Sequence, residues 1–370
     1  MAFLDLIFYL FIIVVFIQVI FYLFFFGRFA FIKPKENTSK HYPVSVIICA
    51  KNEAENLKKF LPSIISQNYP DFEIVLINDA SYDDTLEVME TFSKKYSNIK
   101  IVDVKNNEAF WASKKYALTL GIKASKNNYL LFTDADCKLV SNDWIKQMCS
   151  HFSSKKTIIL GYGAYSKVKN SFLNKLIRFE TLITAIQYFS FAKLGMPYMG
   201  VGRNLAYTKN EFFNASGFMN HMKVRSGDDD LFINQIANKN NTAICFTKDS
   251  FTESKPETTF KNWFKQKRRH VSTAKHYKLK HKILLALFYL SQFYFWALSI
   301  ILLTIVYKPL IVISLCLFRF IIQYAIIGFS AKKLNEIDLI FLLPFLEIFL
   351  IISQLTIFIS NLISKPNHWK

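Results

Sequence analysis

Hydrophobic positions crowd at the two ends of the chain, while the middle carries short apolar blocks separated by stretches of helical spacing. The run FLDLIFYLFIIVVFIQVIFYLFFF (3–26) holds a single acid, Asp5, near its start. About 20 apolar residues suffice to cross a bilayer. Neither a basic leader nor a small-residue cleavage site accompanies this run, so residues 1–30 read as an uncleaved membrane anchor. Residues 281–370 are apolar again and are expected to form three hydrophobic segments, 283–306, 310–329 and 337–363. The second contains Arg319; the third contains Pro344 and Glu347. A charge at membrane depth is costly and turns towards protein or water. Arg319 and Glu347 are therefore expected to pair between helices or to snorkel, in preference to lining a substrate path. If all three segments crossed, the basic tail SKPNHWK would lie on the far side from the central domain. One segment is accordingly expected to be re-entrant or interfacial.

Between the apolar ends lie a polar linker, FIKPKENTSKHYP (31–43), and a domain of ordinary soluble composition over 44–280. VSVIICA (44–50) is a continuous β-rich run, the pattern of a strand buried on both faces. It is followed by Leu57, Phe60, Leu61, Ile64 and Ile65 at helical spacing, with Pro62 able to bend or shorten that helix. FEIVLIND (72–79), IKIVDV (99–104) and YLLFTD (129–134) read as further strands. DDTLEVMETFSKKY (83–96) and KKYALTLGIKAS (114–125) read as the helices between them. The alternation is βαβαβαβ, which implies a parallel, doubly wound sheet. Such sheets bind ligands at the carboxyl ends of their strands, where this sequence places Ala50 to Glu53, Asp79, and Asp134 with Asp136. The last two face the same side of an extended chain. Alone, they are as compatible with a turn as with a metal site; their position at the sheet edge favours the metal. Neither GxGxxG nor GxxxxGK[ST] follows the first strand. A diphosphate would therefore be held through a cation, and aspartate oxygens suit Mg²⁺ or Mn²⁺.

Composition sharpens this only in part. The chain has 370 residues, is 52% hydrophobic with 38 Phe, and carries a net charge of +19. Its basic residues flank the apolar segments: Arg28, Lys33 and Lys35 after the first, and KHYKLKHK (275–282) before the second. That placement favours anionic lipid over nucleic acid as partner and puts the central domain in the cytoplasm. The five cysteines are odd in number and lack CxxC spacing, so they read as reduced thiols.

Several spaced motifs over about 44–275 resemble the family 2, inverting glycosyltransferases of GT-A fold. VSVIICAKNEAENL is similar to that family's opening strand and turn, and VLINDASYDDT to its second strand. SKKYALTLGI resembles its K-x-x-A-L-N-x-G helix, with Thr119 in place of Asn. DAD (134–136) matches its DxD, and GVGRNLAYTK (200–209) resembles its acceptor-side segment. SGDDDLF (226–232) matches its acidic motif, and QKRRH (266–270) its Q-x-x-R-W, with His270 in place of Trp. The resemblance implies a GT-A nucleotide-diphospho-sugar transferase fold, mostly parallel and doubly wound, joined to transmembrane helices. It implies donor contacts from Ala50, Glu53, Asp79, Lys114 and Asp134, with Asp79 on the nucleotide base. A divalent ion would be held by Asp136 and Asp134. Asp229, preceded by Asp228, would be the general base, its pKa raised by its acidic neighbours. Gly202, Asn204, Gln266 and Arg269 would meet the acceptor or diphosphate.

The function implied is transfer of a sugar from a nucleotide sugar, UDP-linked by expectation, to a lipid or lipid-linked glycan at a cell membrane, expected to be a bacterial inner membrane. Two other readings stand beside it. One is a processive polysaccharide synthase whose helices form a channel, a reading weakened by His270. The other is an inactive scaffold of the same fold, which the intact DAD, DDD and Q-x-x-R elements oppose.

Overall fold

The computed structural model describes residues 2–34, 41–105, 113–224 and 226–364. Ten strands lie among them: β1 (Val44–Ala50), β2 (Phe72–Asp79), β3 (Ile99–Val104), β4 (Tyr129–Phe132), β5 (Cys137–Leu139), β6 (Ile158–Leu160), β7 (Gly163–Tyr165), β8 (Leu205–Thr208), β9 (Thr242–Ile244) and β10 (Thr252–Ser254). Seven form one sheet in the order β3-β2-β1-β4-β8-β6-β9, and β5-β10-β7 form a small second sheet. The expected alternation holds through β4, with β1 parallel to both β2 and β4 and β2 parallel to β3. β8 departs from it by running antiparallel to β4 and β6. The sheet is thus mostly parallel, and Ala50 and Asn78 sit opposite each other at its carboxyl edge.

Side-chain alternation along β1 divides the core. Val44, Val46, Ile48 and Ala50 pack with Ile74, Leu76 and Leu131 under the helices Ala54–Ile65, Thr85–Lys95 and Trp144–Cys149. The first of these helices runs through Pro62 to Ile65 without breaking there. On the opposite face, Ile47, Val75, Ile77, Leu130 and Phe132 join a second cluster. That cluster continues through the long helix Phe172–Lys193 into Phe21, Tyr22, Phe26 and Phe29 near the N-terminus and Ile326, Leu343 and Leu346 near the C-terminus. Phe29 stacks on Phe189 with ring centroids 5.0 Å apart, and Phe25 lies 5.7 Å from Phe191. The α/β domain and the apolar helices therefore share one hydrophobic core.

Four described helical segments are long and apolar enough to cross a membrane: Phe3–Ala30, Leu279–Thr304, Pro309–Lys333 and Ile337–Ile363. The first contains a π-helical stretch, Phe21–Phe26, and the last opens with a 3₁₀ segment, Ile337–Leu342. The chain reads as a membrane protein on this basis. The C-terminal tail beyond Ser364 and the linker residues 35–40 fall outside the described residues.

Arg319 and Glu347 join helices, as their cost in an apolar layer requires. Arg319 is 0% exposed and its Nη2 donates to Glu347 Oε1 at 2.5 Å. Its Nε donates to Gln18 Oε1 at 2.6 Å. Glu347 Oε1 also accepts from Gln323 Nε2 at 2.8 Å, Gln292 Nε2 at 2.9 Å and Tyr22 OH at 3.3 Å. Trp296 Nε1 donates to Glu347 Oε2 at 3.1 Å. All four apolar segments contribute to this cluster, and one carboxylate is its common acceptor.

Removing one member of a buried ion pair costs about 3–5 kcal/mol because the other is left uncompensated. Glu347→Ala is therefore expected to lower the thermal unfolding midpoint of the detergent-solubilised protein well below that of the parent. The double variant Arg319→Leu with Glu347→Leu should recover part of that loss. Equal midpoints for parent and Glu347→Ala would refute the role given to this carboxylate.

Candidate active site

The strand ends and two loops bring the predicted residues to one edge of the sheet. β2 terminates in Asp79, which is 4% exposed, and its Oδ2 has no hydrogen-bond partner among the described residues. Burial raises the pKa of this carboxyl, with Lys51 and Lys114 opposing. Neighbouring Asp83 behaves differently. Its Oδ1 accepts from Thr85 N at 3.0 Å and its Oδ2 from Ala54 N at 3.4 Å, so it fastens the loop after β2 to the helix after β1. Two acids four residues apart thus divide into a structural tie and an unpartnered acceptor. Glu53 sits at the start of the helix Ala54–Ile65, its backbone N–H donating to Thr85 Oγ1 at 2.8 Å and its Oε2 accepting from Asn56 at 2.5 Å. Ala50 is buried at the end of β1.

Lys114, in the first turn of the helix Ser113–Ala124, lies between two acidic motifs. Its Nζ is 3.2 Å from Asp134 Oδ1 and 3.2 Å from Asp228 Oδ2. Burial works against the ammonium, but Asp134 and Asp228 outweigh it and hold the group well above the ordinary lysine range. In the same way burial opposes the Asp228 carboxylate, and Lys114 keeps it below the usual range.

Asp134, Asp136 and Cys137 bring ligand-type atoms within 4.8 Å of one another. Burial first, then Asp134, push the Asp136 carboxyl up to about 6, with Arg203 opposing. Two crowded carboxylates of this kind favour a cation, and oxygen donors suit Mg²⁺ or Mn²⁺. The Cys137 thiol lies 3.1 Å from Ser254 Oγ, and burial raises its pKa, so it does not join the carboxylates as a ligand for a hard ion. Asp134 and Asp136 fit a divalent ion.

The DDD triplet resolves into three environments. Asp228 pairs with Lys114. Asp229 starts the helix Asp230–Ile236, its Oδ1 accepting from Asp230 N at 2.7 Å and its Oδ2 from Gly202 N at 2.7 Å. Burial, then Asp228 and Asp230, push Asp229 up to about 7, and the Gly202 bond pulls the other way. Asp230 is turned inwards, its Oδ2 accepting from Thr273 Oγ1 at 2.5 Å and Tyr277 OH at 2.6 Å. It ties the acidic helix to the turn that leads into Leu279–Thr304. Lys114, Asp134, Gly202, Asp228 and Asp229 line one small cleft with Cys49 and Thr133. A larger open concavity, bordered by Lys155, Glu211 and Gln235, holds none of these groups.

One predicted contact is placed differently. Asn204 is 0% exposed, with its Nδ2 donating to the carbonyls of Tyr162 at 2.8 Å and Ser250 at 2.7 Å. Its Oδ1 accepts from Trp144 Nε1 at 3.1 Å. It is an internal post beneath the segment 200–209, and Gly202, two residues earlier, is the group that meets Asp229. In the helix Phe260–Val271, Lys267 pairs with Glu180, and Arg268 turns towards the last apolar helix. Arg269 feels the charges of Asp228 and Asp134, though burial lowers its pKa overall. Gln266 Oε1 has no partner among the described residues.

Two site-supporting residues escaped the sequence reading. Lys115 is 1% exposed, and its Nζ donates to the carbonyls of His221 at 2.8 Å, Val224 at 2.8 Å and Ser226 at 2.9 Å. It thereby shapes the approach to Gly227, whose φ of +93° an L side chain rarely adopts. Burial lowers the Lys115 pKa to about 8. Arg203 lies over the Tyr165 ring at 4.1 Å, donates to Gly163 O at 2.6 Å and offsets charge on Asp136. Its guanidinium passes where a side chain on Gly163 would stand: a Cβ there would lie 2.4 Å from Arg203 Nε. The helical step of 100° that turns Lys115 away from Lys114 was the one available signal for the first.

Known proteins resemble this chain in family and in fold. Residues 45–225 match the family model described as Glycosyl transferase family 2. The chain is 30% identical over 193 residues to glycosyltransferase AglE of Haloferax volcanii, covering 50% of this chain and 58% of that protein. It is 38% identical over 101 residues to a cholesterol galactosyltransferase of Borreliella burgdorferi, covering 27% of each. The alignments thus span between about a quarter and somewhat over half the length of these relatives. A solved structure of the mannosyltransferase PcManGT from Pyrobaculum calidifontis, in complex with GDP-Man and Mn²⁺, superposes with a TM-score of 0.58 at 16% identity. That superposition covers 90% of this chain and 99% of the other, and bears on the fold alone. Residues 45–225 thus carry a family 2 glycosyltransferase domain, and the mostly parallel sheet has a GT-A-like fold.

Proposed function

We propose that this protein is a membrane-bound, inverting glycosyltransferase that moves a sugar from a nucleotide-diphosphate donor, UDP-linked by the sequence reading, to a lipid or lipid-linked glycan. The observation that carries the proposal is the division of labour among the acids. Asp79 offers an unpartnered acceptor where the base would lie, Asp134 and Asp136 form an oxygen pair, and Asp229 is pushed up to about 7 beside them. A lipid-borne acceptor is favoured by the core that the catalytic domain shares with the apolar helices. Basic flanks at Arg28, Lys33 and 275–282 favour a cytoplasmic domain.

In this mechanism the donor base is received by Asp79, and Glu53 lies at the neighbouring strand end. Asp134 and Asp136 would hold Mg²⁺ or Mn²⁺, which when bound supplies positive charge against that developing on the departing diphosphate. Lys114 and Arg269 add fixed positive charge on the same side. The acceptor hydroxyl oxygen forms the new bond to the anomeric carbon as the carbon–oxygen bond to the diphosphate breaks. The hydroxyl proton passes to Asp229, whose carboxylate the Gly202 and Asp230 amides orient.

Positioned general bases contribute roughly 10²–10⁴-fold. Asp229→Asn is expected to lower nucleoside-diphosphate release in the presence of lipid acceptor by about that factor while donor binding by calorimetry persists. Full activity in this variant would overturn the assignment of the base.

The base must be ionised to act, so activity is expected to rise with pH through about 7, the range to which burial and its acidic neighbours push Asp229. Lys114 holds Asp228 below the usual carboxylate range. A rate that stays flat from pH 5.5 to 8 would therefore transfer the role to Asp228.

Asp136→Ala is expected to abolish stimulation of donor turnover by added Mg²⁺ or Mn²⁺. Undiminished metal dependence in that variant would remove Asp136 from the ion site. Product length in the same assay separates single addition from processive synthesis.

A further inference from the structure

The last apolar helix, Leu343–Ile363, has the length and composition of a span. At 1.5 Å per residue its 21 residues extend roughly 30 Å, the thickness of a bilayer core. A helix that crossed would carry its two ends to opposite faces of the membrane. Both ends of this one are instead fastened to the catalytic domain. Just before its start, Glu336 pairs with the buried Arg178 of the helix Phe172–Lys193, and Asp338 accepts from Arg178 and from Lys167 at 2.7 Å. At its far end, Arg268 of the Q-x-x-R helix donates to Asn361 Oδ1 at 3.0 Å and to Ser360 O at 2.9 Å. Asn361 Nδ2 returns a bond to Arg268 O at 3.0 Å.

The course between these ends agrees. Phe349 meets Phe172 with ring centroids 4.9 Å apart. Glu347 meets Gln292 and Trp296, but Ile351, one turn later, accepts from Tyr289, which lies nearer the domain end of Leu279–Thr304. The helix therefore descends towards the domain as it proceeds. The other three apolar helices mark the opposite end of the membrane region, where Asp5 accepts from Tyr307 at 2.6 Å and pairs with Lys308.

We propose that Leu343–Ile363 does not cross the membrane but lies along the leaflet nearest the catalytic domain, covering that domain's membrane-facing side and returning the C-terminus to the same side. Its inner face, Leu346, Leu350, Ile351 and Ile357, is buried against the protein. Its outer face presents Phe345, Phe349, Ile352, Ile359 and Ile363 at helical spacing, with Phe345 65% and Ile363 81% exposed. The partner is lipid acyl chain of that leaflet, because the helices that run to Asp5 and Lys308 likewise expose apolar side chains, among them Ile300, Leu310 and Ile321. The two lysines of the tail then remain on the side that the positive-inside rule favours.

The test uses the full chain with a short epitope after Lys370, in sealed membrane vesicles of known orientation, with protease added outside. The epitope and the catalytic domain are expected to be digested together in one orientation and protected together in the other. Digestion of one with protection of the other would overturn the proposal. Spin labels placed one at a time at Phe345, Ile352 and Ile359 add depth, read by power saturation. A depth that is greatest at Phe345 and lessens towards Ile359 is expected. A depth that increases steadily from one label to the next, or a deep Ile352 between shallow ends, would show a crossing or a re-entrant hairpin and equally overturn it. None of these readouts depends on enzymatic activity, so a failure here is distinct from a failure of the glycosyltransferase reading.

Discussion

The site depends on one cation, Lys114, held at 3.2 Å from each of two carboxylates that belong to different parts of the chain. Asp134 follows the fourth strand of the parallel sheet, whereas Asp228 precedes a helix nearly a hundred residues later. Without a positive charge between them, two acids in a mostly buried cleft would repel or take up protons. With Lys114 present, one stays ionised and the cleft can hold further acids close by. The asymmetry that follows is chemically useful. Asp228 is held below the ordinary range, Asp229 is driven up to about 7, and Asp136 up to about 6. Three carboxylates of the same intrinsic acidity acquire three different proton affinities from burial and neighbours alone.

A similar economy operates among the apolar helices. A lone glutamate in lipid would be prohibitive, but Glu347 receives donors from each of the other three apolar segments. Its charge is satisfied only when all four segments are assembled. The polar cluster thus specifies one arrangement among helices whose remaining surfaces are chemically alike, where leucine and phenylalanine contacts alone would leave the register loose. The shared core with Phe189 and Phe191 then fixes the catalytic domain against that assembly.

Much of this was legible in the sequence, and the boundary of legibility has a physical cause. The first four strands and their helices were recoverable because local periodicity and burial on both faces agree there. The approach of Asp79, Asp134 and Asp136 followed from topology, since parallel strands align their carboxyl ends, whereas Asp228 was legible only through its resemblance to a family motif. The antiparallel β8 and the small second sheet were not recoverable. Their strands are three or four residues long, and their pairing is decided by partners far away in the chain. Asn204 was expected at the acceptor because it stands beside Gly202 in a recognisable segment. The 3₁₀ turn at Gly202–Asn204 instead sends it inwards to Trp144 and Tyr162. Lys115 was hidden for the opposite reason. Adjacent lysines look equivalent in sequence, yet one helical step separates a charge in the cleft from one committed to three loop carbonyls.

The two halves of the site are anchored to different supports, and this has a mechanistic consequence. Asp79, Glu53 and the loop tied by Asp83 rest on β1, β2 and the core face that lies away from the apolar helices. Asp229 rests on Gly202 and on a helix whose neighbour, Asp230, is bound by Thr273 and Tyr277 at the entrance to Leu279–Thr304. Gln266 and Arg269 ride on a helix that Arg268 fastens to Asn361. Under the proposed function, the donor side would thus be referenced to the sheet and the acceptor side to the membrane-proximal helices. An acceptor carried in a bilayer has its height fixed by the bilayer. In that mechanism a base referenced to the same layer would meet its hydroxyl at a set depth, while a water-borne donor would be presented from the opposite side by the sheet edge.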